Sequence, residues 1–156
     1  MADAADRAYI AGLKMLGRRE LSEAQVRTRL ARREYEPDDI DAAIDRLTRE
    51  RALDDRRTAL ACARTEVRLK HRGRLRVLRQ VEGLGIAREI ARAAVAEVFA
   101  ELDEGVLVEE ALERRLRRGL SLADPGHVRR VHRYLLTQGF APASVMTAIR
   151  RRQRSA

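Results

Sequence analysis

The sequence predicts an all-α protein made of three tandem three-helix, helix-turn-helix-like repeats that form an elongated, curved array. Ala, Leu, Arg and Glu dominate the 156 residues, and all four are strong helix formers. No stretch shows the period-two alternation of β-branched residues that is typical of a strand. An apolar pattern recurs about every 50 residues, which is typical of chains built from small repeated modules.

The repeat is centred on three anchor residues, Tyr35, Ile86 and Phe140, which are 51 and 54 residues apart. Apolar residues stand nine and five positions before and after every anchor. These positions are Val26, Leu30, Ile40 and Ile44 in the first copy, Val77, Val81, Ala91 and Val95 in the second, and Val131, Leu135, Val145 and Ile149 in the third. The pattern predicts three repeats with the boundaries 1–51, 52–103 and 104–156.

In the first repeat, the predicted first helix runs from about residue 6 to 16, with Ile10 and Leu13 facing inward. The segment 22–25 (SEAQ) has the form of a capping box and predicts the start of the second helix at Ser22. Pro37 is placed at the first turn of the third helix, where its missing N–H is tolerated. Ile40, Ile44 and Leu47 form the predicted inner stripe of that helix.

Similar start and stop signals divide the remaining chain into six helices. The predicted fourth helix starts near Asp54 and ends near residue 70, and the fifth and sixth cover about 75–82 and 87–101. The predicted seventh covers about 106–118. Asp124 and Pro125 start the eighth, Gly139 ends it in a left-handed cap, and Pro142 starts the ninth.

The composition indicates a basic protein of a reducing compartment. The net charge is +9 and the isoelectric point about 10.9, which favours a polyanionic partner such as nucleic acid. An alternative is compositional bias, since 31 of the 33 basic residues are Arg. The single cysteine, Cys62, excludes an internal disulfide, and no apolar stretch is long enough to span a bilayer. With no secretory leader apparent, we expect a cytoplasmic protein with no membrane partner.

The most distinctive charged segment lies between residues 68 and 79. It carries Arg68, Lys70, His71, Arg72, Arg74, Arg76 and Arg79, and no acidic residue occurs from 67 to 81. Gly73 lies at its centre and predicts a turn that spreads the cations outward. Such a cluster can bind phosphates or an acidic protein groove. The alternative is a solvated helix end, where cations interact favourably with the helix dipole.

Two further basic groups lie in the last repeat. Arg129, Arg130 and Arg133, together with the tail at 150–154, have few acidic neighbours and form the second candidate binding surface. The group at 114–118 has glutamates at 109, 110 and 113, so ordinary surface ion pairs explain it better. The five aromatic residues fall mostly on inner stripes, which argues against base stacking.

Residues with catalytic spacing are missing from the sequence. The three histidines lack metal-ligand spacing, and no GxxxxGK[ST] phosphate loop occurs. Asp54 and Asp55 are better explained as a helix cap and a first-turn acid than as a metal pair. We therefore expect no enzymatic activity, no cofactor and no metal.

The segment from residue 12 to 59 resembles the RecX family, regulatory proteins of the bacterial recombinase RecA. The resemblance is carried by LGRRELSEAQVRTRL at 16–30, the ALDD element at 52–55, the Arg-rich stretch around Gly73, the Gly85-Ile86 turn and the Gln138-Gly139-Phe140 turn. It covers essentially the whole chain. The aromatic that often precedes the ALDD element is absent here, and so is the aromatic or Leu that often follows it.

The resemblance implies three three-helix repeats that bind the RecA filament on single-stranded DNA, with the DNA contacted either directly or through RecA. It further implies inhibition of RecA ATP hydrolysis, strand exchange and co-protease activity, with roles in homologous recombination, DNA repair and the SOS response. We expect the contacts to lie at Arg68, Lys70, Arg72, Arg74, Arg76, Arg129, Arg130 and Arg133, and the chain to be a monomer.

The alternative function is a direct DNA-binding helix-turn-helix regulator that reads base edges. Its recognition helix in the first repeat would begin with Glu36, Pro37, Asp38 and Asp39, and these acids would repel phosphate. A third alternative is a scaffold whose basic charge is purely compositional.

Overall fold

Helix start signals in the sequence determine where each element begins. The computed structural model describes residues 2–156. Within this range the chain forms nine α-helices and no strand: α1 Ala4–Leu16, α2 Glu23–Ala31, α3 Pro37–Arg49, α4 Asp55–Arg68, α5 Arg74–Glu82, α6 Arg88–Ala100, α7 Glu104–Leu116, α8 Pro125–Thr137 and α9 Pro142–Arg154. The all-α prediction is confirmed.

The predicted caps are present in the structure. The Ser22 hydroxyl accepts from the Gln25 N–H while the Gln25 side chain accepts from the Ser22 N–H, which completes the capping box. The Asp54 carboxylate accepts from the Arg57 N–H at 3.0 Å. Helix α7 starts at Glu104, two residues earlier than predicted, because Asp103 caps it.

The three-fold repeat is visible in the burial and in the backbone. All twelve apolar positions flanking the anchors are buried. The residue before each anchor has a positive φ, +63° at Glu34, +79° at Gly85 and +98° at Gly139. Each copy therefore turns between its second and third helices through a left-handed residue.

The helices group into two compact units. Unit 1 comprises the described part of Met1–Cys62 together with Val81–Ala94, and unit 2 comprises Ala63–Gln80 together with Val95–Ala156. Helices α4, α5 and α6 each contribute residues to both units. The repeat boundaries at 51/52 and 103/104 stay a prediction.

In unit 1, α1 packs mainly on α3 through small residues. Ala8, Ala11 and Gly12 are buried, and a Cβ on Gly12 would lie 2.7 Å from Leu47 Cδ1. The prediction that Ile10 and Leu13 face inward is wrong, since they are 45% and 37% exposed. The small residues allow the helix axes to approach closely, so the small side chains define the buried stripe and the two larger ones remain outside.

Unit 1 also contains hydrogen bonds between residues far apart in sequence. The Ser22 hydroxyl donates to the Leu84 carbonyl, and the Glu23 N–H donates to Asp55 Oδ1 at 2.8 Å. A Cβ on Gly85 would lie 2.5 Å from Ala24 Cβ, so only glycine fits there. The hydrogen-bonding groups at the start of α2 thus have partners in the predicted second repeat.

One hydrophobic cluster of unit 2 is aliphatic apart from the ring of Phe140. It contains Val108, Ala111, Leu112, Val131, Leu135, Phe140, Val145, Ala148 and Ile149. None of the helices in the described range has the length and apolar character needed to cross a membrane.

Candidate partner-binding and nucleic-acid interface

The central basic segment is a helix end followed by a tight joint. Helix α4 ends at Arg68, and His71 adopts a left-handed conformation at φ +53°. The N–H of Arg72 donates to the Glu66 carbonyl, and that of His71 donates to the Val67 carbonyl. The bond from the His71 N–H is that of the αL cap motif, so the left-handed residue of the turn is His71 and not Gly73.

Gly73 allows two backbones to meet within unit 2. Its N–H donates to the Gln138 carbonyl at 2.8 Å, and the Leu75 N–H donates to the Gly139 carbonyl at 3.1 Å. A Cβ on Gly73 would lie 2.6 Å from the Gly139 carbonyl carbon. The α4–α5 joint is therefore fixed on the α8–α9 turn, which holds the basic segment in one place.

Two of the predicted contact residues share a buried carboxylate. Glu66 is 2% exposed, and its Oε1 lies 2.7 Å from Lys70 Nζ. Its Oε2 forms an ion pair with Arg72 Nη1. Glu66 lies one residue before the acid-free segment 67–81. It was therefore not identified from the sequence as the partner of Lys70 and Arg72. Lys70 and Arg72 stabilise the joint, because a buried carboxylate without a cation would be costly.

The remaining central cations differ in how strongly they are held. Arg74 Nη1 lies 3.4 Å from Glu104 Oε1, and its guanidinium lies 5.8 Å from the Phe99 ring centre. Arg76 Nη1 donates to the Thr137 carbonyl at 3.3 Å. Within residues 2–156, Arg68 and Arg79 are exposed and form no ion pair. These two are available to a ligand.

Arg76 connects the central basic group to α8, the helix that carries Arg129, Arg130 and Arg133. Thr137, the partner of Arg76, lies one turn beyond Arg133 on α8, about 6 Å along the axis. Arg130, Arg133 and Thr137 have i, i+3, i+7 spacing and share one face of α8. We call the side chains of Arg76, Arg79, Arg129, Arg130 and Arg133 the α5–α8 basic surface. Arg68, at the end of α4, is a further exposed cation of the same unit.

The terminal arginines of this surface have no carboxylate partner in the described part of the chain. Arg129, Arg130 and Arg133 are all exposed. The nearest acid in sequence, Asp124, caps α8 instead. Hydrogen bonds from the Gly126 and His127 N–H groups hold the pKa of Asp124 below its usual value. Arg129 also lowers this pKa through its charge but lies beyond ion-pair distance, so the carboxylate caps α8 and forms no ion pair with the three arginines.

An open depression of about 590 Å³ adjoins the surface, and Arg76, Arg79, Gln80, Leu136 and Thr137 line it. Two cations and two polar groups there suit a phosphate or carboxylate rather than an apolar ligand. By contrast, the group at 114–118 is partly neutralised, since Arg117 Nη2 lies 2.9 Å from Glu113. That ion pair lowers the pKa of Glu113.

The described residues offer no group of three or more His, Cys, Asp and Glu side chains placed to hold a metal ion. His127 Nδ1 accepts from the Ser121 N–H at 3.0 Å, which closes the loop before α8. Asp54 and Asp55 accept backbone hydrogen bonds at the ends of α4 and α2.

Comparison with known proteins decides the family. A family model described as "RecX, first three-helix domain" matches residues 8–47. A curated regulatory protein RecX from Syntrophotalea carbinolica is 31% identical over 137 residues, which cover 87% of this chain and 90% of the relative. This chain belongs to the RecX family. A second RecX, from Pelodictyon phaeoclathratiforme, is 28% identical over 138 residues, covering 88% of this chain and 84% of the relative.

The structural similarity to RecX proteins extends over nearly the whole chain. The crystal structure of RecX from Lactobacillus salivarius superposes with a TM-score of 0.81 and covers 97% of both chains at 20% sequence identity. A second RecX crystal structure has the same TM-score at 18% identity and covers 94% of this chain and 73% of its own. These likenesses confirm the helical repeat fold.

Proposed function

We propose that this RecX family member binds the RecA recombinase on single-stranded DNA and inhibits its ATPase, strand exchange and co-protease activities. The observation that carries the proposal is family membership over most of the chain. The α5–α8 basic surface supports it, because exposed arginines without acidic partners suit a complex that contains DNA phosphates.

The proposed mechanism is steric and electrostatic, and it needs no catalytic group. Arg68 and the side chains of the α5–α8 basic surface make the contacts, while Lys70 and Arg72 stabilise the α4–α5 joint through Glu66. Occupying the filament groove blocks entry of duplex DNA and hinders the subunit motions coupled to ATP turnover. We propose that the chain acts in the cytoplasm as a monomer.

Direct reading of base edges by the first repeat is disfavoured by the structure of α3. Its first turn carries Asp38 and Asp39, and no basic residue precedes Arg46 in the helix. Negative charge at a helix N-terminus stabilises the helix but repels the phosphates that flank a major groove.

The test is RecA ATP hydrolysis on single-stranded DNA, titrated with this protein well below one molecule per RecA. We expect inhibition by the native chain and loss of inhibition by the triple variant Arg129→Glu, Arg130→Glu, Arg133→Glu. These side chains are exposed and unpaired, so the variant should keep its helicity.

A matched control is the triple variant Arg92→Glu, Arg114→Glu, Arg118→Glu, which changes the net charge equally at exposed positions outside the surface. It should inhibit as the native chain does. If the native chain leaves RecA unaffected at equimolar amounts, the proposed function is wrong. If both triple variants inhibit normally, only the assignment of the surface is wrong.

A further inference from the structure

Unit 1 contains a second basic surface that the sequence pattern does not reveal. An open groove of about 640 Å³ lies where the C-terminal ends of α1 and α2 meet. Its lining consists of Met15 and six cationic side chains, Lys14, Arg18, Arg19, Arg29, Arg32 and Arg33. We call it the α1–α2 groove.

The six cations have no ion-pair partner in the described range, because the nearby acids point elsewhere. Glu20 Oε1 binds Arg57 Nε at 2.8 Å, and Glu23 Oε1 binds Arg27 Nε at 2.9 Å. Glu34 is exposed and lies beyond ion-pair distance of the groove side chains. The groove is therefore lined by positive charge alone.

Net charge does not explain this arrangement. Residues 1–51 contain eleven Lys and Arg and eleven Asp and Glu, so the segment is neutral overall. More than half of its cations nevertheless line one groove. Cations at the ends of α1 and α2 do favour the helix dipoles, but the effect falls off within the last turn. The repulsion among six like charges around one groove is weakened by water, and a bound polyanion would relieve it further.

We propose that the α1–α2 groove binds the sugar–phosphate backbone of nucleic acid directly, without RecA. Five of the six cations are arginines, whose planar guanidinium matches the geometry of a phosphate. The lining has no aromatic side chain for base stacking and no amide for base-edge recognition, so binding is independent of base sequence.

An acidic peptide is the competing ligand, and the lining disfavours it. Peptide-binding grooves combine charge with apolar pockets that accept side-chain anchors. The only apolar side chain here is Met15, which is 8% exposed. A chain of phosphates needs no apolar anchor, so the groove suits nucleic acid better.

This site is distinct from the α5–α8 basic surface. The groove lies entirely in unit 1, whereas the cations of the proposed RecA–DNA contact lie in unit 2. The inference does not depend on RecA. It can therefore be wrong while the proposed function is correct, and it can be correct while the proposed function is wrong.

The experiment compares the full chain with two triple variants that lose the same charge. The groove variant is Arg18→Gln, Arg32→Gln, Arg33→Gln. The control is Arg49→Gln, Arg64→Gln, Arg92→Gln, at exposed positions without ion-pair partners in the described structure. Affinity for a labelled single-stranded oligonucleotide of mixed sequence is measured by fluorescence anisotropy at several salt concentrations without RecA.

Each phosphate contact contributes about 0.7 to the slope of log affinity against log salt for single strands. We therefore expect the slope of the groove variant to be smaller by about 2, and the control to keep the native slope. The pair Arg18→Gln, Arg19→Gln lies outside both helices and should lower the slope by about 1.4. This pair still tests the proposal if the triple variant loses helicity.

Three results would overturn the proposal. The first is an equal change of slope in groove variant and control, which would mean that only net charge matters. The second is an unchanged slope in the groove variant. The third is displacement of the oligonucleotide by polyglutamate at equal charge concentration, which would favour the acidic peptide. RecA ATPase inhibition, measured in parallel, is expected to be retained by the groove variant.

Discussion

Replacing Gly139 with Ala should destabilise unit 2 more than replacing Gly119, the other glycine of this unit with a positive φ. Gly139 combines a φ of +98° with close contact, since a Cβ there would lie 2.4 Å from Arg76 N and 2.9 Å from the Gly73 carbonyl oxygen. An L-residue with positive φ costs about 1 kcal/mol or more. Separating the backbones also weakens two hydrogen bonds, worth about 1 kcal/mol each. We expect a total loss of about 3 kcal/mol.

Two other glycines separate these two causes. Gly119 has a φ of +89°, but a Cβ there would meet nothing within 4 Å. Gly119→Ala should therefore lower the free energy of unfolding only through the strain of a positive φ, by about 1 kcal/mol. Gly73 has no positive φ but the same close backbone contact. Gly73→Ala should lower the free energy of unfolding by about 2 kcal/mol, because it weakens the two backbone hydrogen bonds to Gln138 and Gly139.

The assay is thermal unfolding followed by far-UV circular dichroism, with urea unfolding as a second measurement. In a chain of this size, 1 kcal/mol shifts Tm by about 2–4 °C. We expect Gly139→Ala to lower Tm by about 6–12 °C and Gly119→Ala by about 2–4 °C. Equal effects of the two substitutions would refute the claim that the backbone contact between the α4–α5 joint and the α8–α9 turn stabilises unit 2.

Three further substitutions test individual contacts. Glu66→Gln should lower the free energy of unfolding by about 2 kcal/mol, because the amide cannot compensate the Arg72 charge; urea unfolding measures this. Glu34→Gly should raise it by about 1 kcal/mol, since glycine adopts the φ of +63° without strain; thermal unfolding measures this. For Asp55, burial foremost raises the pKa above 3.8, so its contribution is full below that pH and is lost as the pH rises through the raised pKa. Asp55→Asn, whose amide oxygen can still accept from the Glu23 N–H, should gain stability relative to the native chain as the pH rises through the raised pKa of Asp55.

Each of these expectations can be contradicted by a simple outcome. An unchanged urea midpoint for Glu66→Gln would mean that the buried ion pair contributes nothing net. A lower Tm for Glu34→Gly would mean that the unfolded-state entropy of glycine outweighs the relief of strain. A stability difference for Asp55→Asn that is independent of pH would mean that the carboxyl group has the same pKa in the folded and unfolded chain.

The repeat and the helix caps were predictable because both depend on residues close together in sequence. The capping box at Ser22 and the positive φ at Gly139 follow from local chemistry alone. The inward face of α1 was not predictable from the sequence, since two faces of that helix carry apolar residues. Only the close approach of α3, permitted by Ala11 and Gly12, decides between them.

The partners of the charged residues were also difficult to predict from the sequence. Counting acids from 67 to 81 missed Glu66 by one residue, although its i, i+4 spacing to Lys70 was a usable signal. The α1–α2 groove gave no such signal. Its cations alternate along the chain with acids such as Glu20 and Glu23, and the fold turns those acids toward other partners.

The start of α2 has a consequence for how such a chain can change length. The Glu23 N–H donates to Asp55 and the hydroxyl of the cap residue Ser22 donates to Leu84, and both partners lie beyond the first predicted repeat. In a solenoid, a module can be gained or lost because each one offers its neighbours the same interface. Here the deletion of one repeat would remove hydrogen-bond partners from another. The number of repeats is therefore tied to the pairing between them, and duplication or loss of a single copy would require compensating substitutions at positions such as Ser22 and Gly85.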